Sequence, residues 1–296
     1  MRRIAFLADV HANLEALEAT LRDVESQGPD QVIVLGDTIN YGPNPRECLT
    51  LCAIHADVLL AGNHEKEAAL PDPDELEDDA REMLSWTVAQ LAGLRVWEKL
   101  RDRIVAHGAR SGLDATGQGE DPAQARVAGL HCVHASAAKP YAQYVWPGHP
   151  NHHLHLNGAL NEYLCQILAG FDAVHSFVGH THVPAILAAY ASHALFPVQG
   201  DWNRRLTFVG PGAIFYVPQG GVRIEGLAGH KLVINPGSVG QPRDGDARAA
   251  WALYDGDSVE FRRVPYDHAA VAAKIRALPF SEGTRTYFAD RLAVGR

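Results

Sequence analysis

Apolar runs of strand length recur along this 296-residue chain, and five of them end abruptly on acid, amide or imidazole side chains. The five endings are Asp9-Val10-His11, Gly36-Asp37, Gly62-Asn63-His64-Glu65, His134 after Cys132-Val133, and Gly179-His180-Thr181-His182. No other feature restricts the fold as much. Polar groups massed at the exits of buried strands predict an open α/β sheet, in which ligands gather at the carboxyl ends of the strands. Glycine directly precedes the polar residue in three of the five, which suits a tight exit or a close backbone approach.

The start of the chain reads strand, helix, strand, helix, strand. Residues 3–8 form a short apolar run, and Leu14, Leu17, Leu21 and Val24 follow at helical spacing until Gly28-Pro29 stops the helix. Residues 31–35 and 57–61 are the second and third predicted strands, and this alternation implies a parallel sheet with helices on its faces. Beyond Pro71 the pattern changes. Residues 72–83 are densely acidic, and Trp86, Val88, Leu91, Leu94 and Trp97 continue at helical spacing. A helical insertion over about 72–107 is predicted, with its charges forming a solvated face. Residues 110–124 read as a loop. Strands are then predicted at 129–133, 173–178, 205–217, 221–227, 231–235, 249–254 and 259–264, with a helical segment over about 267–294. There is no repeat and no low-complexity linker, so one domain spanning 1–296 is the simplest organisation.

Composition excludes several classes. Hydrophobic residues make up 47% of the chain and charged residues 21%, too apolar for a disordered chain. No apolar stretch approaches the roughly 18 residues that span a bilayer. The amino terminus also lacks the apolar core of a signal peptide, so a soluble, cytoplasmic protein without a membrane partner is expected. Lys and Arg number 26 against 35 Asp and Glu, a formal charge of -9, and no basic run exceeds Arg204-Arg205 or Arg262-Arg263. Long nucleic acid, which needs a basic stripe, is not an expected partner. The four cysteines, with no CxxC among them, are expected to be reduced and structural. Neither a Walker-type phosphate loop nor a GxSxG elbow is present.

The five endings collect two carboxylates, one amide and four imidazoles, with His64 beside them. Imidazole mixed with oxygen donors suits Mn, Fe, Co, Ni or Zn better than Ca or Mg, which prefer oxygen alone. Seven such side chains exceed the needs of one ion, yet fill two if a carboxylate bridges. Two dications against Asp9 and Asp37 leave a positive centre that attracts phosphate even in an acidic protein.

The order Asp-x-His, Gly-Asp, Gly-Asn-His-Glu, a strand-end His, then Gly-His-x-His resembles that of the calcineurin-like metallophosphoesterases. The resemblance covers about residues 3–264, with Asn235-Pro236-Gly237-Ser238-Val239-Gly240-Gln241-Pro242-Arg243 resembling a segment of bacterial members. It lies nearest the small prokaryotic branch of phosphodiesterase-like or diadenosine-tetraphosphatase-like proteins. The resemblance implies a four-layer α/β/β/α sandwich, here with a helical insertion and extra β-hairpin elements, and a dinuclear site at one edge. It implies that Asp9, His11 and His182 hold one metal, that Asn63, His134 and His180 hold a second, and that Asp37 bridges them. By the same resemblance His64 is a catalytic residue that is not a ligand, Glu65 orients it, and a metal-bound hydroxide is the nucleophile on a small phosphorylated substrate.

One departure stands out. Relatives that act on phosphoproteins carry an Arg after Gly-Asp that holds the substrate phosphate, and Tyr41 stands there in this chain. The difference favours a small phosphodiester or nucleotide phosphate, or a clamp from elsewhere such as Arg243. Tyr41 either stacks on a base or packs in its turn, and Arg243 either meets substrate or pairs with Asp244 or Asp246. His149, His152, His153 and His155 crowd one loop that either rims the pocket or faces solvent. Tyr141, Tyr144 and Trp146 either wall the pocket or pack, and residues 197–221 form a lid, a dimer contact or an extended hairpin. The rival functions are a retromer-like protein-binding scaffold, a phosphomonoesterase or protein phosphatase, and a nuclease. Oligomeric state has no signature in the sequence.

Overall fold

The computed structural model describes residues 2–71, 78–111, 121–147, 157–196, 208–209 and 211–296. The chain opens with β1 (Ile4–Leu7), α1 (Leu14–Gln27), β2 (Gln31–Val34), α2 (Pro45–His55) and β3 (Val58–Leu59). Asn13 caps α1 by accepting the Ala16 N–H at 3.1 Å, and Gly28 ends it in the left-handed region. Three helices follow: α3 (Asn63–Ala69), α4 (Asp78–Leu91) and α5 (Arg95–Ser111). Then come β4 (Gln124–Val127), β5 (Leu130–Val133), α6 (Asn157–Gly170), β6 (His175–Val178), β7 (Ala185–Ala189), β8 (Phe208–Val209), β9 (Ala213–Tyr216), β10 (Val222–Glu225) and β11 (Leu232–Asn235). The chain closes with β12 (Ala249–Tyr254), β13 (Ser258–Val264), α7 (His268–Arg276) and α8 (Glu282–Leu292).

Two sheets result. One runs β10-β13-β12-β1-β2-β3, with β1, β2 and β3 parallel; the other runs β4-β5-β6-β11-β7-β9-β8, with β5, β6 and β11 parallel. The apolar strands still obey the period of two. Ile4 and Phe6 of β1 face the second sheet, whereas Ala5 and Leu7 face α1 with Leu17, Val24 and Trp251. Between the sheets Phe6 stacks on Phe177, their ring centroids 3.5 Å apart. On the far side α6 packs Leu164, Ile167 and Leu168 against Val178, Leu187 and Phe215. The layers are therefore α/β/β/α, the fold expected from the sequence.

The insertion resolves into α4 and α5, broken at Gly93 (φ 71°), with α5 reaching Ser111, past the expected end. Leu84, Leu91, Trp97, Leu100 and Ile104 bury against Ile39, Leu49 and Ala61, so the insertion leans on the turn that follows β2. The loop expected at 110–124 instead starts after α5 and ends in β4, with 112–120 outside the described residues. The expected 197–221 element lies outside them at 197–207 and 210, and its described part contains the antiparallel β8–β9 pair. The His149–His155 loop lies wholly outside. All four cysteines are free, and no helix among the described residues is long and apolar enough to cross a membrane.

Candidate metal centre

The carboxyl ends of β1, β2 and β3 in one sheet meet those of β5 and β6 in the other. Backbone hydrogen bonds sew these exits together: Asp9 N–H to the Gly36 carbonyl (3.1 Å), His11 N–H to the Asp37 carbonyl (3.0 Å), and Gly179 N–H to the His134 carbonyl (2.8 Å). The two sheets join where the His180 N–H donates to Asp9 Oδ1 (2.9 Å). Asp9, His11, Asp37, His180 and His182 all adopt positive φ, between 47° and 64°. Each costs about 1–2 kcal/mol in a residue with a Cβ, and such strain concentrates where side chains must be aimed. Gly62 has to be glycine, because a Cβ there would overlap the Asp37 carboxylate.

Three backbone carbonyls decide how the imidazoles face. Nδ1 of His11 lies 3.3 Å from the Ile39 oxygen, Nδ1 of His134 lies 2.8 Å from Leu35, and Nδ1 of His182 lies 2.7 Å from Gln241. A carbonyl only accepts, so each Nδ1 carries a proton, and His11 and His182, kept neutral by burial, turn bare Nε2 atoms inward. There the acceptors crowd. His11 Nε2 and His182 Nε2 are 3.0 Å apart, and His182 Nε2 is 3.6 Å from Asp9 Oδ1. His134 Nε2 is 3.4 Å from Asp37 Oδ2 and 3.2 Å from Asn63 Oδ1, whose amide is turned by an Nδ2–H bond to Glu67 (3.1 Å). Buried Asp9 Oδ2 and His180 Nε2 have no hydrogen-bond partner among the described residues. Lone pairs facing one another without protons call for a cation between them.

The donor atoms form two groups, Asp9–His11–Asp37–His182 and Asp37–His134–His180, and Asp37 belongs to both. Within each, the ligand atoms lie within 4.8 Å of one another. Electrostatics follow from burial. It pushes the Asp9 carboxyl up to about 7 against the pull of His134, drives His180 down to about 3, and holds His11 and His182 well below the usual imidazole range. For His134 burial is outweighed by Asp37, which raises it to about 9.

His64 opens α3 beside these groups. Its backbone N–H donates to Asp37 Oδ1 (3.0 Å), its Nε2 lies 4.0 Å from Asp37 Oδ2, and the Asn40 Nδ2 lies 2.9 Å from its Nδ1. An amide N–H donated to Nδ1 leaves the proton of the neutral ring on Nε2. Burial lowers the His64 pKa, but Asp37 and Glu67, whose Oε2 is 3.4 Å away, outweigh it and leave it raised.

Glu65 departs from expectation. Its buried carboxylate does not touch the His64 ring; it accepts N–H groups from Gly62 (2.7 Å), Asp37 (3.0 Å), Thr38 (2.7 Å) and Ile39 (3.2 Å), and the Thr38 hydroxyl (2.7 Å). It clips the Asp37 turn to the start of α3. Tyr41 packs its ring on His11 (4.6 Å), on His64 (4.5 Å) and on Phe288 of α8 (4.9 Å). Arg243 does not pair with its neighbours: Asp244 meets Arg263, and Asp246 meets Arg248. Tyr144 stacks on His180 at 4.1 Å, whereas Tyr141 bonds Asp121 and Trp146 packs on Phe215. Asn40, Glu67, Gln241 and Phe288 were missed from the sequence. Glu67 alone had a signal, standing three residues after His64 on one helix face.

Acceptors crowded in this way hold cations, and at the strand ends of this sandwich they make the protein a metal-dependent hydrolase of phosphoric esters. The chain belongs to the calcineurin-like phosphoesterase family, whose model matches residues 2–184, a span containing all seven expected ligands. The crystal structure of a metallophosphoesterase from Sphaerobacter thermophilus is similar, with a TM-score of 0.72 and 28% identity over 100% of this chain and 99% of that one. Uncharacterized protein MJ0912 of Methanocaldococcus jannaschii is 26% identical over 300 residues, 99% of this chain and 98% of its own. Hypothetical protein PH1004 from Pyrococcus horikoshii OT3, 20% identical, shares the fold with a TM-score of 0.63 over 97% and 98% of the two chains.

Proposed function

We propose that this enzyme hydrolyses a small phosphodiester or nucleotide phosphate at two divalent ions that share Asp37. The observation that carries the reading is the membership of Asp37 in both donor groups. Asp9, His11 and His182 would complete one site, and Asn63, His134 and His180 the other. The mixture of imidazole and oxygen suits Mn, Fe, Co, Ni or Zn. Ions bound there supply Lewis-acid activation of water and neutralise charge on the phosphoryl oxygens.

The remaining work falls to the chain. His64, its Nδ1 facing the Asn40 amide, directs an Nε2–H toward the departing ester oxygen and gives it a proton. Glu65 keeps Asp37 and His64 in mutual register by holding the backbone on both sides of Gly62. After Gly36-Asp37, Tyr41 offers an aromatic face, which suits an ester whose second substituent packs there. The chain acts as one unit in the cytoplasm, with α8 supplying part of the wall around Tyr41.

Purified protein, stripped and reloaded with Mn, is expected to bind two ions per chain by elemental analysis and to release p-nitrophenol from bis-p-nitrophenyl phosphate. One ion per chain at saturation would remove the shared-carboxylate reading. Full loading without turnover would instead favour a binding role.

A further inference from the structure

A cation stands beside the cluster without a carboxylate partner among the described residues. Arg243 is anchored to the centre by its backbone: its N–H donates to the His182 carbonyl (3.1 Å), and the Gln241 carbonyl faces His182 Nδ1 (2.7 Å). The segment that orients a candidate ligand thus also carries the arginine. Its guanidinium donates from Nη2 to Gln241 Oε1 (2.8 Å), and its Nε is buried with no partner among the described residues. Gln241 in turn lines a pocket with His11 and Tyr41. The two acids next to Arg243 in sequence are committed to Arg263 and Arg248.

A guanidinium in a half-buried side chain whose Nε is shut away from water without a partner is unfavourable unless an anion completes it. Its charge reaches both halves of the centre, acting on Asp9, His11, His180 and His182. The guanidinium fork matches two oxygens of one phosphoryl group, a geometry lysine does not reproduce.

We propose that Arg243 is the phosphate clamp of this site, its free Nε and Nη donors gripping non-bridging phosphoryl oxygens of an ester seated on the cluster. This rests on the reading of the cluster as a phosphoesterase centre. It places the fixed cation on the segment after β11 instead of on the turn after β2 where Tyr41 stands.

Inorganic phosphate titrated into the Mn-loaded protein by calorimetry tests the clamp without turnover. Arg243→Gln is expected to weaken phosphate binding about 10- to 100-fold, the worth of a charge-assisted pair, at unchanged metal content. Arg243→Lys keeps the charge and the apolar stem, and is expected to recover only part of that loss. Phosphate binding within twofold of wild type in the Gln variant overturns the proposal. If the Gln variant fails to load metal, the Lys variant decides: a several-fold loss supports the clamp, and wild-type binding overturns it. A wild type that binds phosphate through Arg243 yet cleaves no ester sinks the proposed function and leaves the clamp standing.

Discussion

Replacing Glu65 with Gln changes a single buried atom and tests the turn that carries Asp37. The carboxylate takes Gly62 and Asp37 N–H groups on Oε2, and the Thr38 N–H, Thr38 hydroxyl and Ile39 N–H on Oε1. Whichever oxygen becomes an amide nitrogen, at least two backbone donors then face a donor. At about 1–3 kcal/mol for each buried group left unsatisfied, the loss is about 2–6 kcal/mol. Burial and the nearby Asp37 already disfavour the Glu65 charge, raising its pKa, so removing that charge gives some stability back. The expected net is about 3 kcal/mol. With an unfolding entropy of about 2.1 cal/mol/K per residue, a chain of this length should lose about 5 °C in Tm. Circular dichroism of the metal-loaded protein reads the melting, and bis-p-nitrophenyl phosphate reads the turnover, which should fall at least about tenfold as Asp37 and His64 lose register. Glu67→Gln is the control, because Glu67 touches Asn63 and His64 but no part of this clip, so it should slow turnover while moving Tm by about 1 °C or less. A Glu65→Gln protein that melts and turns over like wild type would refute the reasoning.

Further outcomes follow from the same geometry. Asp37→Asn should empty both donor groups, read as metal content by elemental analysis; retention of one full ion would contradict its shared role. His64→Ala should keep its metal and slow kcat by about 100-fold, and an unchanged kcat removes the proton-donor role. His175 bridges the sheets between the Tyr254 hydroxyl (2.6 Å) and the Leu227 carbonyl (3.0 Å), and burial lowers its pKa. A depressed imidazole contributes stability that is full above its unfolded value of about 6.5 and lost as pH falls below it. Urea midpoints between pH 7.5 and 5 should therefore decline more steeply for wild type than for His175→Gln, and parallel declines would exclude this contribution.

The layered fold and the strand-end cluster were legible because both depend on local signals: apolar runs, helical spacing, and polar residues directly after each strand. Partners supplied by distant segments were not. Glu65 was expected to serve His64 because it is adjacent in sequence, but neighbours on a helix point about 100° apart. Glu67, one turn on, shares the face instead, and Glu65 turns back to the β2 exit. Arg243 was offered Asp244 or Asp246 by the same nearness, yet those acids answer to arginines from β13 and from just before β12. Phe288 reaches Tyr41 only because α7 and α8 fold back over the His11 side, and nothing periodic announces that.

The hydrogen bond from His180 to Asp9, and the donor groups around it, straddle the seam between the two sheets. An ion drawn into the centre is then a rivet as well as a reagent. At a hundredfold excess over its dissociation constant it would add about 2.7 kcal/mol to the folded state. Chelation should accordingly be felt far from any substrate, as faster amide exchange along β1 and β6, which face each other through Phe6 and Phe177.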